Sequence, residues 1–80
     1  TTWVKEQTLM YKNEIRIIDL LVYDANKCYI FDYKTTQEEL QEHIFQVQHY
    51  KKAIKAILPK QEVLGYIIYL KKEELFIKEV

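Results

Sequence analysis

The sequence predicts a mixed α/β (α+β) fold, a sheet with the element order β-β-β-α-β-β and one long helix packed on one of its faces. Three observations predict it. The stretch Glu14 to Lys34 (EIRIIDLLVYDANKCYIFDYK) reads as two apolar strands joined by a short turn. A helical pattern then runs from a start signal at Thr36 and Glu39 to a stop at Pro59, and the apolar run Val63 to Leu70 (VLGYIIYL) follows it. A strand after a long helix forms a crossover unit, parallel to the strand it joins.

Each element has its own reason. Thr1 to Lys12 mixes β-branched, aromatic and polar residues and predicts a first strand over Val4 to Tyr11, with Trp3 as a core-edge anchor. Lys12-Asn13 supplies the turn into the second strand, because Asn tolerates the left-handed conformation. The continuous hydrophobicity of strands two and three predicts a sheet covered on both faces for much of its length. Thr36 as N-cap with Glu39 three positions on makes a capping box, so the helix should run from about Gln37 to Leu58. Pro59 ends it, since proline cannot continue a helix without losing a backbone hydrogen bond.

On that helix Leu40, Ile44, Val47, Ile54 and Leu58 fall on one stripe that faces the sheet, while His43, Gln46, Tyr50 and Ile57 lie along its flank. The fourth strand is apolar throughout and therefore central. Gly65 within it signals close approach of another backbone or of the helix. Lys71-Lys72-Glu73-Glu74 reads as a turn, and Leu75 to Val80 alternates as an edge-like fifth strand whose charges guard against aggregation. One helix covers one face only. The other is left for an element this chain lacks, which predicts an exposed apolar patch or self-association.

Composition bounds the functions available. Eighty residues make one domain at the small end, with a single core. Hydrophobic residues at 49%, with one Gly and one Pro, exclude a low-complexity chain. Twelve basic and twelve acidic residues cancel, so the chain lacks the global basicity of an autonomous DNA-binding module. No apolar run approaches the roughly eighteen residues of a membrane span, and no signal-peptide pattern is present, so a cytoplasmic protein without a membrane partner is expected. Cys28 alone makes neither an internal disulfide nor a multi-cysteine metal site and reads as a small core residue.

The chemistry-bearing residues are acids placed where acid is costly. Asp19 interrupts Ile15-Arg16-Ile17-Ile18 and Leu20-Leu21-Val22, and Asp32 and Lys34 interrupt Cys28-Tyr29-Ile30-Phe31. By the period of two, Asp32 and Lys34 share a face with Cys28 and Ile30, and Asp19 shares one with Ile17 and Leu21. If Asp24-Ala25-Asn26-Lys27 is a four-residue loop, Tyr23 faces Cys28 and Asp19 faces Asp32. A three-residue loop would put the two acids on opposite faces. Facing residues have Cβ atoms about 4.5–5.5 Å apart, where like charges repel, so something positive must sit between them. Lys34 is one option. A divalent cation is the better one, because hard cations take carboxylates, waters and substrate phosphates, and a nearby lysine can orient the attacking water. The plain alternative is that Asp19 and Asp32 pair with Arg16 and Lys34 as salt bridges.

These residues also carry a resemblance. Ile18-Asp19-Leu20-Leu21, Asp32-Tyr33-Lys34-Thr35 thirteen positions after Asp19, and Gln46-Val47-Gln48-His49-Tyr50 on a helix resemble the RecB/AddA-type nuclease domain of the PD-(D/E)XK superfamily, over approximately Lys12 to Leu70. The resemblance implies a restriction-endonuclease-like fold and a Mg²⁺- or Mn²⁺-dependent DNA exonuclease of double-strand-break repair and recombination, joined to a helicase domain or partner subunit. It implies Asp19 and Asp32 as metal ligands, Lys34 as the catalytic lysine, the Tyr33 carbonyl as a third ligand, and Gln46 and Tyr50 as the Gln-x-x-x-Tyr helix motif. The family usually adds an upstream helical region with a histidine or acidic residue near the metal. Nothing before Asp19 supplies one, which points to a nuclease-core piece, residues 1–80, of a longer polypeptide.

Other residues have plainer readings. Gln46 and Tyr50 either contact phosphate and orient the lysine, or are a boundary Gln and an amphipathic Tyr covering the core. His43 and His49 are six apart, off the i, i+4 spacing of helical metal ligands, and read as surface or boundary residues. Glu14 could reach the metal in principle, but a charged hairpin-end residue is usually just solvated. Lys51, Lys52, Lys55 and Lys60 suit the helix dipole and form a basic side that could approach phosphate, though such charge runs are more often only solvated faces. Two functions therefore stand, a nuclease core and a non-catalytic nuclease-fold module for DNA docking or protein interaction.

Overall fold

The computed structural model describes the backbone of residues 1–80 and every side chain except that of Tyr11. Strands β1 (Thr2–Tyr11), β2 (Glu14–Tyr23) and β3 (Lys27–Lys34) precede helix α1 (Gln41–Ile57), and β4 (Glu62–Leu70) and β5 (Leu75–Glu79) follow it. The five strands form one sheet in the order β1-β2-β3-β4-β5, so position in the sheet repeats position in the chain. Only β3 and β4 are parallel, and α1 is the crossover between them; the other three pairs are antiparallel. This is the expected α+β mixed sheet with the expected element order.

Turn chemistry sets the registers. Lys12 and Asn13 have φ of 51° and 64°, and Tyr11 pairs with Glu14, so the β1–β2 turn is a two-residue hairpin with both central residues left-handed. Tyr23 pairs with Cys28 across a four-residue turn closed by the Asp24 amide donating to the Lys27 carbonyl at 3.0 Å. The Asp24 carboxylate accepts the amides of Asn26 and Lys27, each at 2.8 Å, and those bonds hold its pKa down.

The core lies between α1 and one face of the sheet. Leu9, Ile18, Leu21, Cys28 and Ile30 from the first three strands meet Tyr50, Ala53 and Ile54 of the helix, and Val47 meets Ile67 and Tyr69 of β4. Cys28 is fully buried, and burial pushes its thiol pKa up to about 11, so it is an inert core residue. A Cβ on Gly65 would stand 2.6 Å from Val47 Cγ1, so the glycine is what lets α1 approach β4.

Four expectations need correction. The helix starts at Gln41, not Gln37, with Leu40 as an N-cap that makes no side-chain hydrogen bond. The capping box is absent because its parts are engaged elsewhere: the Thr36 hydroxyl donates to the Glu38 carbonyl, and Lys71 Nζ holds Glu39 Oε2 at 2.9 Å. Trp3 anchors no core, being 68% exposed on the edge strand. His43 is buried rather than superficial, its Nδ1 at 3.0 Å from the Tyr69 hydroxyl. Finally, the cover on both faces expected from strand hydrophobicity is not found; as expected of a chain with one helix, no element covers the second face of the sheet. There Phe31 and Tyr66 stack with ring centroids 5.4 Å apart, and Ile77 and Leu75 on β5 are exposed.

Alternation also fails at one place. Leu21 and Ile18 both reach the helix-facing core although three positions apart, and Ile17 is exposed instead of sharing the face of Leu21. The phase shifts at Asp19. Opposite it Glu6 has φ of 54°, and the β1–β2 pairing passes from Lys5–Leu20 to Gln7–Ile18 without a Glu6–Asp19 pair. A non-glycine residue held left-handed in a strand stores roughly 1–3 kcal/mol of strain.

Candidate active site

The β2–β3 register decides whether the two acids meet. Its last pair is Leu20–Phe31, and one further step along the same register sets Asp19 opposite Asp32. Continued pairing would give the Tyr33 amide a backbone acceptor on β2. Instead that amide donates to Asp19 Oδ2 at 2.9 Å. The carboxylate thus substitutes for a backbone carbonyl, ends the ladder, and turns Asp19 into the gap between the strands. N–H and C=O of one extended residue point toward the same neighbour, so the Tyr33 carbonyl opens on the same side. The Tyr33 ring lies on the uncovered face, partly exposed.

Asp32 is 3% exposed, at the carboxyl end of β3 beside the start of the crossover. Burial raises its pKa, Lys34 opposes that rise, and the neighbouring Asp19 carboxylate adds to it. Lys34 Nζ lies 3.1 Å from Asp32 Oδ2 but outside hydrogen-bonding alignment, which leaves that buried oxygen without a hydrogen bond. The same ammonium donates to Gln46 Oε1 at 2.8 Å. Gln46 Nε2 donates to the Tyr50 hydroxyl at 2.9 Å, and that hydroxyl donates to the Ile17 carbonyl at 3.2 Å. Desolvation is the main reason the Tyr50 pKa is raised. A continuous polar chain therefore runs from Asp32 through Lys34, Gln46 and Tyr50 back to β2, two residues from Asp19.

All six residues singled out from the sequence converge here. Asp19, Asp32, Lys34, Gln46 and Tyr50 bring their side chains, and Tyr33 its backbone. The plain salt-bridge alternative is half realised: Lys34 pairs with Asp32, but Arg16 pairs with Glu14 at 2.6 Å and not with Asp19. Two neighbouring carboxylates, one with a buried oxygen lacking an aligned partner, suit a hard divalent cation that keeps waters and substrate phosphate as its remaining ligands. Among the described residues no group of three or more His, Cys, Asp or Glu side chains could hold a metal ion.

Sequence reasoning missed Glu6 and Phe45 around this centre and cast Arg16 only as a salt-bridge partner of Asp19. Glu6 shares an open recess of about 630 Å³ with Asp19, Lys5 and Tyr33. Its one signal, a charged residue midway along a strand, is also the commonest solvated pattern. Arg16 and Phe45 border a cleft of about 560 Å³ that reaches Lys34, Gln46, His49 and Tyr50. No helix among the described residues is long and apolar enough to cross a membrane. Compared with known proteins, the chain matches no family model, no curated protein and no solved structure.

Proposed function

We propose that this chain is the core of a metal-dependent DNA nuclease of the RecB/AddA-like exonuclease kind, with a restriction-endonuclease-like fold, acting in double-strand-break repair with a helicase domain or partner subunit. The observation that carries the reading is the position of Lys34 Nζ, 3.1 Å from the buried carboxylate of Asp32 and 2.8 Å from Gln46 Oε1. Surface ion pairs need no such supporting chain. A lysine fixed beside a buried acid and a glutamine is what a hydrolytic site needs to orient water against a phosphodiester.

The division of labour follows from the contacts. Asp19, fixed by the Tyr33 amide, and Asp32, fixed by burial, would hold Mg²⁺ or Mn²⁺, whose contribution when bound is to polarise the phosphate and lower the pKa of water. Lys34, positioned by Gln46, which Tyr50 positions in turn, steers the attacking water and offsets the charge that develops as the new P–O bond forms and the ester P–O bond breaks. Gln46 and Tyr50 are positioning residues. A second reading, a non-catalytic module for DNA docking or protein interaction, is favoured by the uncovered sheet face.

The test is a Mg²⁺ and Mn²⁺ titration followed by amide NMR, on the native chain and on Asp19→Ala and Asp32→Ala, with metal-dependent cleavage of DNA assayed in parallel. Shifts centred on Asp19, Asp32, Tyr33 and Lys34 that vanish in both variants, with cleavage lost alongside, support the nuclease. Identical responses in all three chains would sink it and leave the docking module.

A further inference from the structure

The cleft that reaches Lys34 has two walls that catalysis does not use. One is the Arg16 side chain on β2, and the other is the exposed edge of α1, where Phe45 lies one residue before Gln46. Phe45 is 60% exposed, although a helix residue of that size normally covers a core. It contributes to neither core cluster. Among the described residues, the ion pair of Arg16 is the exposed one with Glu14, a kind of interaction worth little and easily exchanged for a phosphate. An exposed aromatic ring and a guanidinium lining one cleft with a lysine form the pattern that grips one unpaired nucleotide, with the base on the ring and the phosphate on the cation. Glu42, at the start of the same wall, makes the cleft unfavourable for anions at that end and biases the backbone toward Arg16 and Lys34.

Resting on the nuclease reading, we infer that Arg16 and Phe45 form a nucleotide-positioning subsite next to the scissile phosphate. Phe45 stacks an unpaired base, and Arg16 holds a flanking phosphate. A paired base hides its faces in the helical stack, so the subsite selects a strand that is single at that nucleotide.

Fluorescence anisotropy of the native chain with a labelled oligothymidylate, and with an abasic strand of the same length, tests this in EDTA, where binding is read without cleavage. Phe45→Ala should weaken oligothymidylate roughly tenfold and leave the abasic strand unchanged. Arg16→Gln should weaken both strands alike and reduce the salt slope by about one. Phe45→Trp, made together with Trp3→Phe, should keep the affinity and lose fluorescence on binding. Unchanged oligothymidylate binding by Phe45→Ala, an equal loss on the abasic strand, or no binding of oligothymidylate by the native chain would each overturn the subsite. The two readings fail separately. If native chain binds as expected but never cleaves with Mg²⁺ or Mn²⁺, the subsite stands and the nuclease falls; if it cleaves and Phe45→Ala binds normally, the reverse holds.

Discussion

Asp32 is costly at the residue scale, and the cost has a direction in pH. Its pKa is raised mainly by burial, so between the ordinary carboxylate range and the raised value the folded chain holds a proton the unfolded chain has released. The stability tied to that proton is complete at acid pH and is lost as pH rises through the raised value. Asp32→Asn should therefore flatten the decline and make the chain more stable at neutral pH by about 1 kcal/mol, while abolishing metal-dependent cleavage. Urea unfolding across pH, paired with a cleavage assay, checks both. A stability profile that falls with pH as steeply in the variant as in the native chain would remove Asp32 as the cause.

Much of the site was legible in the sequence at this scale, because an acid inside an apolar strand has few plain explanations and a four-residue turn fixes its register. Other residues were not legible, for physical reasons. His43 and Tyr50 sit with Val47, Ala53 and Ile54 on the stripe that meets the sheet. Reading that stripe from its aliphatic members alone passes over a buried histidine satisfied by Tyr69 and a tyrosine whose hydroxyl caps a strand carbonyl. Glu6 and the phase shift at Asp19 depend on a left-handed backbone that no sequence pattern specifies.

At the scale of elements, local and tertiary signals compete, and the helix start shows which wins. Thr36 and Glu39 are a sound capping box, yet Lys71 draws Glu39 toward the β4–β5 turn, where its ammonium also lies 5.3 Å from the Phe76 ring centroid. The helix therefore begins without a side-chain cap. Leu40 already has the extended backbone of an N-cap, with φ of −86° and ψ of 145°. Leu40→Asp should add about 1 kcal/mol by accepting an amide of the first turn, read as a higher midpoint in thermal unfolding. No gain would mean those amides are already satisfied. The opposite end of the packing is tighter. Gly65→Ala places a methyl against Val47 Cγ1, whose β-branched side chain has little freedom to rotate, and should cost about 1–3 kcal/mol. Adding Val47→Ala should recover part of the loss in a double-mutant cycle, and additive losses would show that contact is not the cause.

For the whole molecule, the sheet carries one covered face and one bare one. The bare face, with Phe31, Tyr66, Leu75 and Ile77, should bind a hydrophobic dye in the native state, and Ile77→Lys should reduce that signal without lowering stability by more than about 0.5 kcal/mol. A native chain that leaves the dye dark would show the face to be shielded in solution. The strands' apolar content had suggested cover on both sides. Neighbouring strands and the Phe31–Tyr66 stack shelter part of that surface within the face itself, which composition does not distinguish from cover by a further layer.

Strand order that repeats chain order has a practical corollary. A single cut between Lys34 and Gln41 leaves two pieces, each a run of adjacent strands, joined by the β3–β4 ladder, by the helix's packing on the first three strands, and by bonds from Gln61 and Glu62 to the β2–β3 turn. Asp19, Asp32 and Lys34 travel with one piece, Gln46 and Tyr50 with the other. Residues 1–36 and 37–80, made as separate peptides, should each lack the Lys34–Gln46 contact and regain it on mixing, visible as the return of the native amide spectrum. The fold then offers a two-part reporter in which reassembly of the sheet and of the site is the same event.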